Sequence, residues 1–200
     1  MLFYSTFFCI AGFLSLQSAV HALTIPNDSY MISRFENGTR VYQSLTDSSL
    51  PAIIATKDDL DSSSSTPDLS IRSAKFPRST LTKRRTDCWG YQLTPSGIDA
   101  SARGLEEICG NGRDVESPAD RNVYFGLVSE GMLVYYCLNQ SGKKANCDKN
   151  DVSYALAQMD ARCKRYEASW FGWPGSFEII GKARVTDSVC NGGMNGKPWA

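Results

Sequence analysis

Residues 123–137 read VYFGLVSEGMLVYYC, and this stretch decides the fold. Two runs rich in β-branched and aromatic residues, Val123 to Val128 and Met132 to Cys137, flank Ser129, Glu130 and Gly131. Such runs around a short polar turn containing glycine predict a β-hairpin. Helical periodicity lies on either side. From Ser96 to Ile108 the residues Ile98, Ala102, Leu105 and Cys109 recur at helical steps, and Gly110 and Gly112 supply a stop. Val152, Leu156, Met159 and Cys163 form a second stripe, with Asp148 or Asn150 able to cap it and Lys164 and Arg165 in its last turn, where they suit the negative end of the dipole.

Further strands are predicted at Trp89 to Leu93 and, as a pair around Gly181 and Lys182, at Ser176 to Ile180 and Ala183 to Val189. The order is β-α-β-β-α-β-β. Two helices then cover an antiparallel sheet of four to five strands, an α+β fold.

Cysteine placement predicts what staples that sheet. Six of the seven cysteines, and all four tryptophans, lie beyond position 87. The seventh, Cys9, sits in MLFYSTFFCIAGFLSLQSAVHA, residues 1–22, an apolar run ending in Val20 and Ala22 at signal-peptidase spacing. That run predicts a signal peptide and a secreted, extracellular protein without a transmembrane segment. In an oxidising compartment Cys88, Cys109, Cys137, Cys147, Cys163 and Cys190 predict three disulfides, with 15 connectivities open. No CxxC pair occurs, so a zinc site is not expected, and neither is a cofactor.

Residues 23–85 differ in character. They hold no cysteine and no tryptophan, include the Ser/Asp-rich stretch 58–70, and scatter their apolar residues without sustained period. Such composition predicts a largely disordered pro-segment with a short ordered piece near Tyr30 to Leu45. It ends at Lys83, Arg84 and Arg85, a site for a kexin-type protease, with cleavage after Arg84 or Arg85. The mature cysteine-rich domain is then residues 86–200. Sequons stand at Asn27, Asn37 and Asn139, the last predicting an exposed loop.

Charge and residue content exclude several functions. The chain carries 21 Lys+Arg against 21 Asp+Glu, and residues 86–200 carry 12 against 14, so there is no electrostatic footprint for nucleic acid. The single histidine, His21, lies in the leader, which removes histidine-based acid-base chemistry and nucleophilic triads from the mature domain. Glu106, Glu107, Asp114, Glu116, Asp120 and Glu130 are the carboxylates available for a glycosidase-like pair, but they read as solvated surface. No catalytic residue is assigned. Trp170, Phe171 and Trp173, in a Gly/Pro context, are the candidate binding loop.

The run 134–171, VYYCLNQSGKKANCDKNDVSYALAQMDARCKRYEASWF, followed by IIGKARVTDSVC at 179–190, resembles fungal small secreted cysteine-rich proteins. In these a strand ends in a cysteine, a short loop reaches a second, a helix ends in a third, and an aromatic strand precedes the last. Cys137, Cys147, Cys163 and Cys190 hold those places, with Tyr166 and Gly181, over residues 120–190. The sequence departs from the pattern at Lys164, where many relatives have glycine. The resemblance, with the kexin-type layout, implies a killer-toxin-like α/β sandwich. The implied function is a non-enzymatic effector or toxin, a virulence factor that binds a host protein or cell surface. The alternatives are a killer toxin against competing microbes and a glycan-binding module.

Overall fold

The computed structural model describes residues 23–63 and 85–190. In chain order its elements are β1 (Asp28–Arg34), β2 (Arg40–Ser44), β3 (Ile53–Ala55), α1 (Lys57–Ser63), β4 (Arg85–Gln92), α2 (Pro95–Cys109), β5 (Arg113–Glu116), β6 (Asn122–Ser129), β7 (Met132–Leu138), β8 (Lys144–Cys147), α3 (Lys149–Arg162), β9 (Glu167–Gly172) and β10 (Glu178–Arg184). The hairpin β6–β7 stands at the centre. Ser129 pairs with Met132, and Glu130 and Gly131 form the two-residue turn with φ of 50° and 73°. Positive φ at both positions matches the twist of the flanking strands.

Period-two alternation sends successive hairpin side chains to opposite faces. Tyr124, Val128, Tyr135 and Cys137 enter one buried cluster, whereas Phe125, Val134, Tyr136 and Leu138 enter the other. Both faces are therefore covered, which is why the run reads as almost continuously apolar. The second face lies under α2 and α3. Gly97, Ser101 and Gly104 let α2 approach closely, and a Cβ at Gly104 would collide with Leu127. Asp148 caps α3 by accepting from the Asn150 amide at 2.7 Å, and Val152, Ala155 and Met159 are its buried residues.

All pairings are antiparallel, and the main sheet has eight strands in the order β3-β2-β1-β6-β7-β10-β9-β4. The α+β class holds, but the strand count exceeds the expected four to five. Five strands come from residues 85–190, and the N-terminal segment adds β1, β2 and β3. A small ribbon, β5–β8, lies apart from the main sheet.

Two expectations are corrected. The ordered piece expected near Tyr30 to Leu45 is present as β1 and β2 but is larger than expected: residues 23–63 carry three strands and a helix, and β1 pairs with β6 along its whole length, Asp28–Val128 to Arg34–Asn122. Their scattered apolar residues gain burial from the hairpin face, which one-dimensional periodicity cannot register. The remainder of the expected pro-segment up to Arg84 lies outside the described residues, as does the leader with Cys9 and His21. The hairpin expected around Gly181 and Lys182 is instead one continuous strand, β10, whose neighbours are β7 and β9. Gly181 is there because the Tyr135 ring lies over it, where a Cβ would collide. Lys182 is buried, 1% exposed, and pairs with Asp160 of α3.

Three disulfides join Cys88 to Cys163, Cys109 to Cys147 and Cys137 to Cys190. They tie β4 to the end of α3, the end of α2 to β8, and β7 to the segment following β10. Closing loops of 75, 38 and 53 residues, each removes unfolded-state entropy on the order of 2–4 kcal/mol. α3 stops because Cys163 is extended (φ −100°, ψ 170°). The left-handed turn falls on Tyr166 (φ 62°) without a glycine at position 164.

Candidate functional site

The sheet edge at β4 gathers aromatic and charged side chains around a bulge. Register between β4 and β9 shifts between Cys88 and Gln92, with Gly90 at φ 81°. The Glu167 carboxylate holds the bulge by accepting from the Gly90 amide at 2.8 Å and the Lys164 amide at 3.0 Å. Trp89 and Tyr91 flank the glycine with ring centroids 6.3 Å apart, and both are half-buried. The Arg184 guanidinium lies 4.7 Å over the Tyr91 ring, and the Tyr91 hydroxyl donates to Asp187. Asp187 also accepts from the Arg184 amide at 2.7 Å. Burial, reinforced by the bond to Asp187, pushes the Tyr91 phenol well above its usual range, so it remains a neutral donor.

Among the described residues no strand pairs with the outer side of β4. A bulged edge with tryptophan, tyrosine and arginine side by side can offer backbone groups, ring faces and a cation to a partner. Composition gave one usable signal for it, the Trp89-Gly90-Tyr91 triplet beside the first framework cysteine. Arg184 and Asp187, 93 residues or more away, carried none.

The expected aromatic loop does not form a single platform. Trp170 and Phe171 are consecutive on β9 and point to opposite faces. Phe171 is fully buried in the helix-covered cluster, Trp170 packs half-buried against the other cluster, and Trp173 meets the Phe171 ring edge-on at 4.9 Å. Two of the three rings therefore serve the core beneath α3, where Tyr154 also contacts Phe171 at 5.7 Å.

The sequons divide in the same way. Asn27 and Asn37 are exposed, the latter in the β1–β2 turn, where its side-chain oxygen accepts from the Thr39 amide. Asn139 is only 8% exposed, contrary to the expected exposed loop. Its amide donates to the Phe177 carbonyl at 2.8 Å and extends the β7–β10 ladder past Leu138, which draws the residue inward. Lys83 and Arg84 lie outside the described residues, and Arg85 opens β4 opposite Gly172.

The carboxylates stand on separate elements with local partners. Glu106 accepts from Ser153, Glu130 from Ser96, Asp114 from Asn146, and Asp120 pairs with Arg121. Glu116 pairs with Lys144 at 2.8 Å, and Glu107 is exposed on α2. A shallow cleft of about 620 Å³ lies along the β5–β8 ribbon, lined by Asp114, Val115, Glu116, Lys144, Ala145 and Asn146. Its charged groups already satisfy one another. Among the described residues no group of three or more His, Cys, Asp or Glu side chains could hold a metal ion. No helix among them is long and apolar enough to cross a membrane.

No family model matches the chain, and neither a curated protein nor a solved structure matches it.

Proposed function

We propose that this chain is a secreted, non-enzymatic effector or toxin-like protein of a fungus that acts outside the cell by binding a host protein or cell surface. The observation that carries the reading is the stapled sheet ending in a bulged, aromatic edge. Three disulfides, all within residues 88–190, hold the scaffold, and one of them anchors β4 directly through Cys88. Trp89, Tyr91 and Arg184 are of the residue types that dominate binding energy at interfaces. Glu167 fixes the backbone of the bulge at Gly90 and Asp187 fixes the Tyr91 hydroxyl, so part of the ordering that binding requires is already in place. The five strands β6-β7-β10-β9-β4 under α2 and α3 support the killer-toxin-like sandwich reading of this part of the chain.

The test is infiltration of purified protein, with its three disulfides verified by mass, into a range of host plants. A local host response is expected, together with saturable binding to host tissue that Trp89→Ala weakens about tenfold or more. Absence of both response and binding, with the disulfides intact, overturns the reading.

A further inference from the structure

The N-terminal segment and the disulfide-bonded body complete each other. Of the sixteen buried residues in the core cluster on the face away from α2 and α3, six come from the segment: Ile25, Tyr30, Ile32, Tyr42, Ala55 and Leu60. Tyr30 and Tyr42 meet edge to face at 5.9 Å, and Tyr42 and Ile32 are fully buried. The β1–β6 ladder runs over seven residue pairs.

Polar contacts repeat the arrangement. Arg40 of β2, 4% exposed, donates from Nη1 to the Val185 carbonyl at 3.1 Å and from Nη2 to the Thr186 carbonyl at 3.3 Å. The Tyr42 hydroxyl reaches the same Val185 carbonyl at 3.3 Å, and Asn27 accepts from the Glu130 amide at the hairpin turn. The buried guanidinium finds its acceptors for Nη1 and Nη2 across the boundary, so each half supplies partners for polar groups of the other.

No disulfide crosses between the two parts: all six paired cysteines lie within residues 88–190. The peptide between residues 63 and 85 is therefore their one covalent connection, and the dibasic residues Lys83 and Arg84 belong to it. Without the segment, β6 would become an unpaired, largely apolar edge and Tyr124 and Val128 would lose their cover, a state that invites aggregation.

We infer that residues 23–63 are a permanent part of the fold, and that a cut at the dibasic site leaves a two-chain molecule held without covalent bonds. The docking surface is the β6 edge with the cluster around Tyr124, and its occupant is this chain's own N-terminal segment. The inference is independent of the effector reading, because it concerns what processing produces and not what the product binds.

The test cuts the secreted chain with a purified kexin-type protease. A sequence-specific protease site placed between residues 64 and 80 makes the same cut where the native site is refused. Native mass spectrometry and gel filtration are expected to show both fragments in one particle of uncut size, separating only in denaturant without reductant. Hydrogen exchange at β6 amides is expected to stay as slow as in the uncut protein. Nicked Arg40→Ala is expected to release the N-terminal fragment about tenfold or more faster than nicked wild type, as the loss of hydrogen bonds from a buried charge implies. Where that variant fails to fold, the wild-type exchange measurement decides alone. Release of the N-terminal fragment from a folded body, with β6 exchange accelerated, overturns the inference.

Discussion

The guanidinium of Arg40 donates to the carbonyl of Val185, 145 residues later in the chain, at 3.1 Å. β2 and β10 are separated in the sheet by β1, β6 and β7, so the contact exists because the segment after β10 turns back across the sheet face. Val185 donates its amide to the Gly131 carbonyl, and at Cys190 the segment is bonded to β7 through Cys137 while Asn122 donates to its carbonyl. The N-terminal strands thus close over the same strap that the third disulfide fastens.

Replacing Arg40 by alanine in the uncut protein should lower stability by about 1.5–3 kcal/mol, the range for hydrogen bonds involving a charged group. A denaturant titration with the three disulfides intact measures it. An unchanged midpoint would show that the guanidinium contributes nothing beyond its neighbours.

Gly181→Ala should cost about 1–3 kcal/mol, because the new methyl overpacks against a Tyr135 ring that is 2% exposed and has nowhere to swing. Thermal unfolding checks this. A neutral effect would mean the ring rearranges, and would place the turn expected from the sequence back in contention.

Glycan occupancy should follow burial. In protein secreted from a eukaryotic host, Asn37→Gln should remove one glycan mass, whereas Asn139→Gln should leave the intact mass of the glycans unchanged. A glycan found on Asn139 would contradict its 8% exposure.

Asp28 predicts acid sensitivity at the start of β1. Burial raises its carboxyl, but bonds from Ser44, Thr46 and the Ser29 amide outweigh that and hold it below the usual carboxylate value. A folded value below the unfolded one, about 3.9, gives a contribution present at neutral pH that fades as pH falls through the folded value. Hydrogen exchange should therefore show β1 and β2 loosening below about pH 4. Asp28→Asn should be less stable than wild type at neutral pH and show less of this pH dependence. Equal pH profiles for the two proteins would remove Asp28 as the cause.

How much of this was legible differed by element. The hairpin, α2 and α3 were readable because each carries its own local signal: a two-residue turn at Glu130 and Gly131, a glycine stop at Gly110, a capping Asp148. The strands β1 and β2 were legible only as a short ordered piece near Tyr30 to Leu45, and β3 not at all, since residues such as Tyr30, Ile32 and Tyr42 alternate only over short runs amid polar residues. Gly181 misled for a physical reason. A glycine that ends a strand and a glycine that admits a ring from the next strand have the same letter. The candidate edge was legible only as the strand expected over Trp89 to Leu93, and Arg184 and Asp187 are brought to it by the crossing of β10 and its following strap.

Local sequence was enough for the α+β class, the central hairpin, the two covering helices and the even set of six framework cysteines. All of these rest on interactions between residues close in the chain, or on a simple count. The tertiary structure alone decided which cysteines pair, that Gly181 and Lys182 lie within a strand, and that Asn139 is buried. It alone also decided that residues 23–63 belong to the sheet. Those depend on contacts across 38 to 145 residues, where the partner that makes a residue buried, strained or paired leaves no mark in its own neighbourhood.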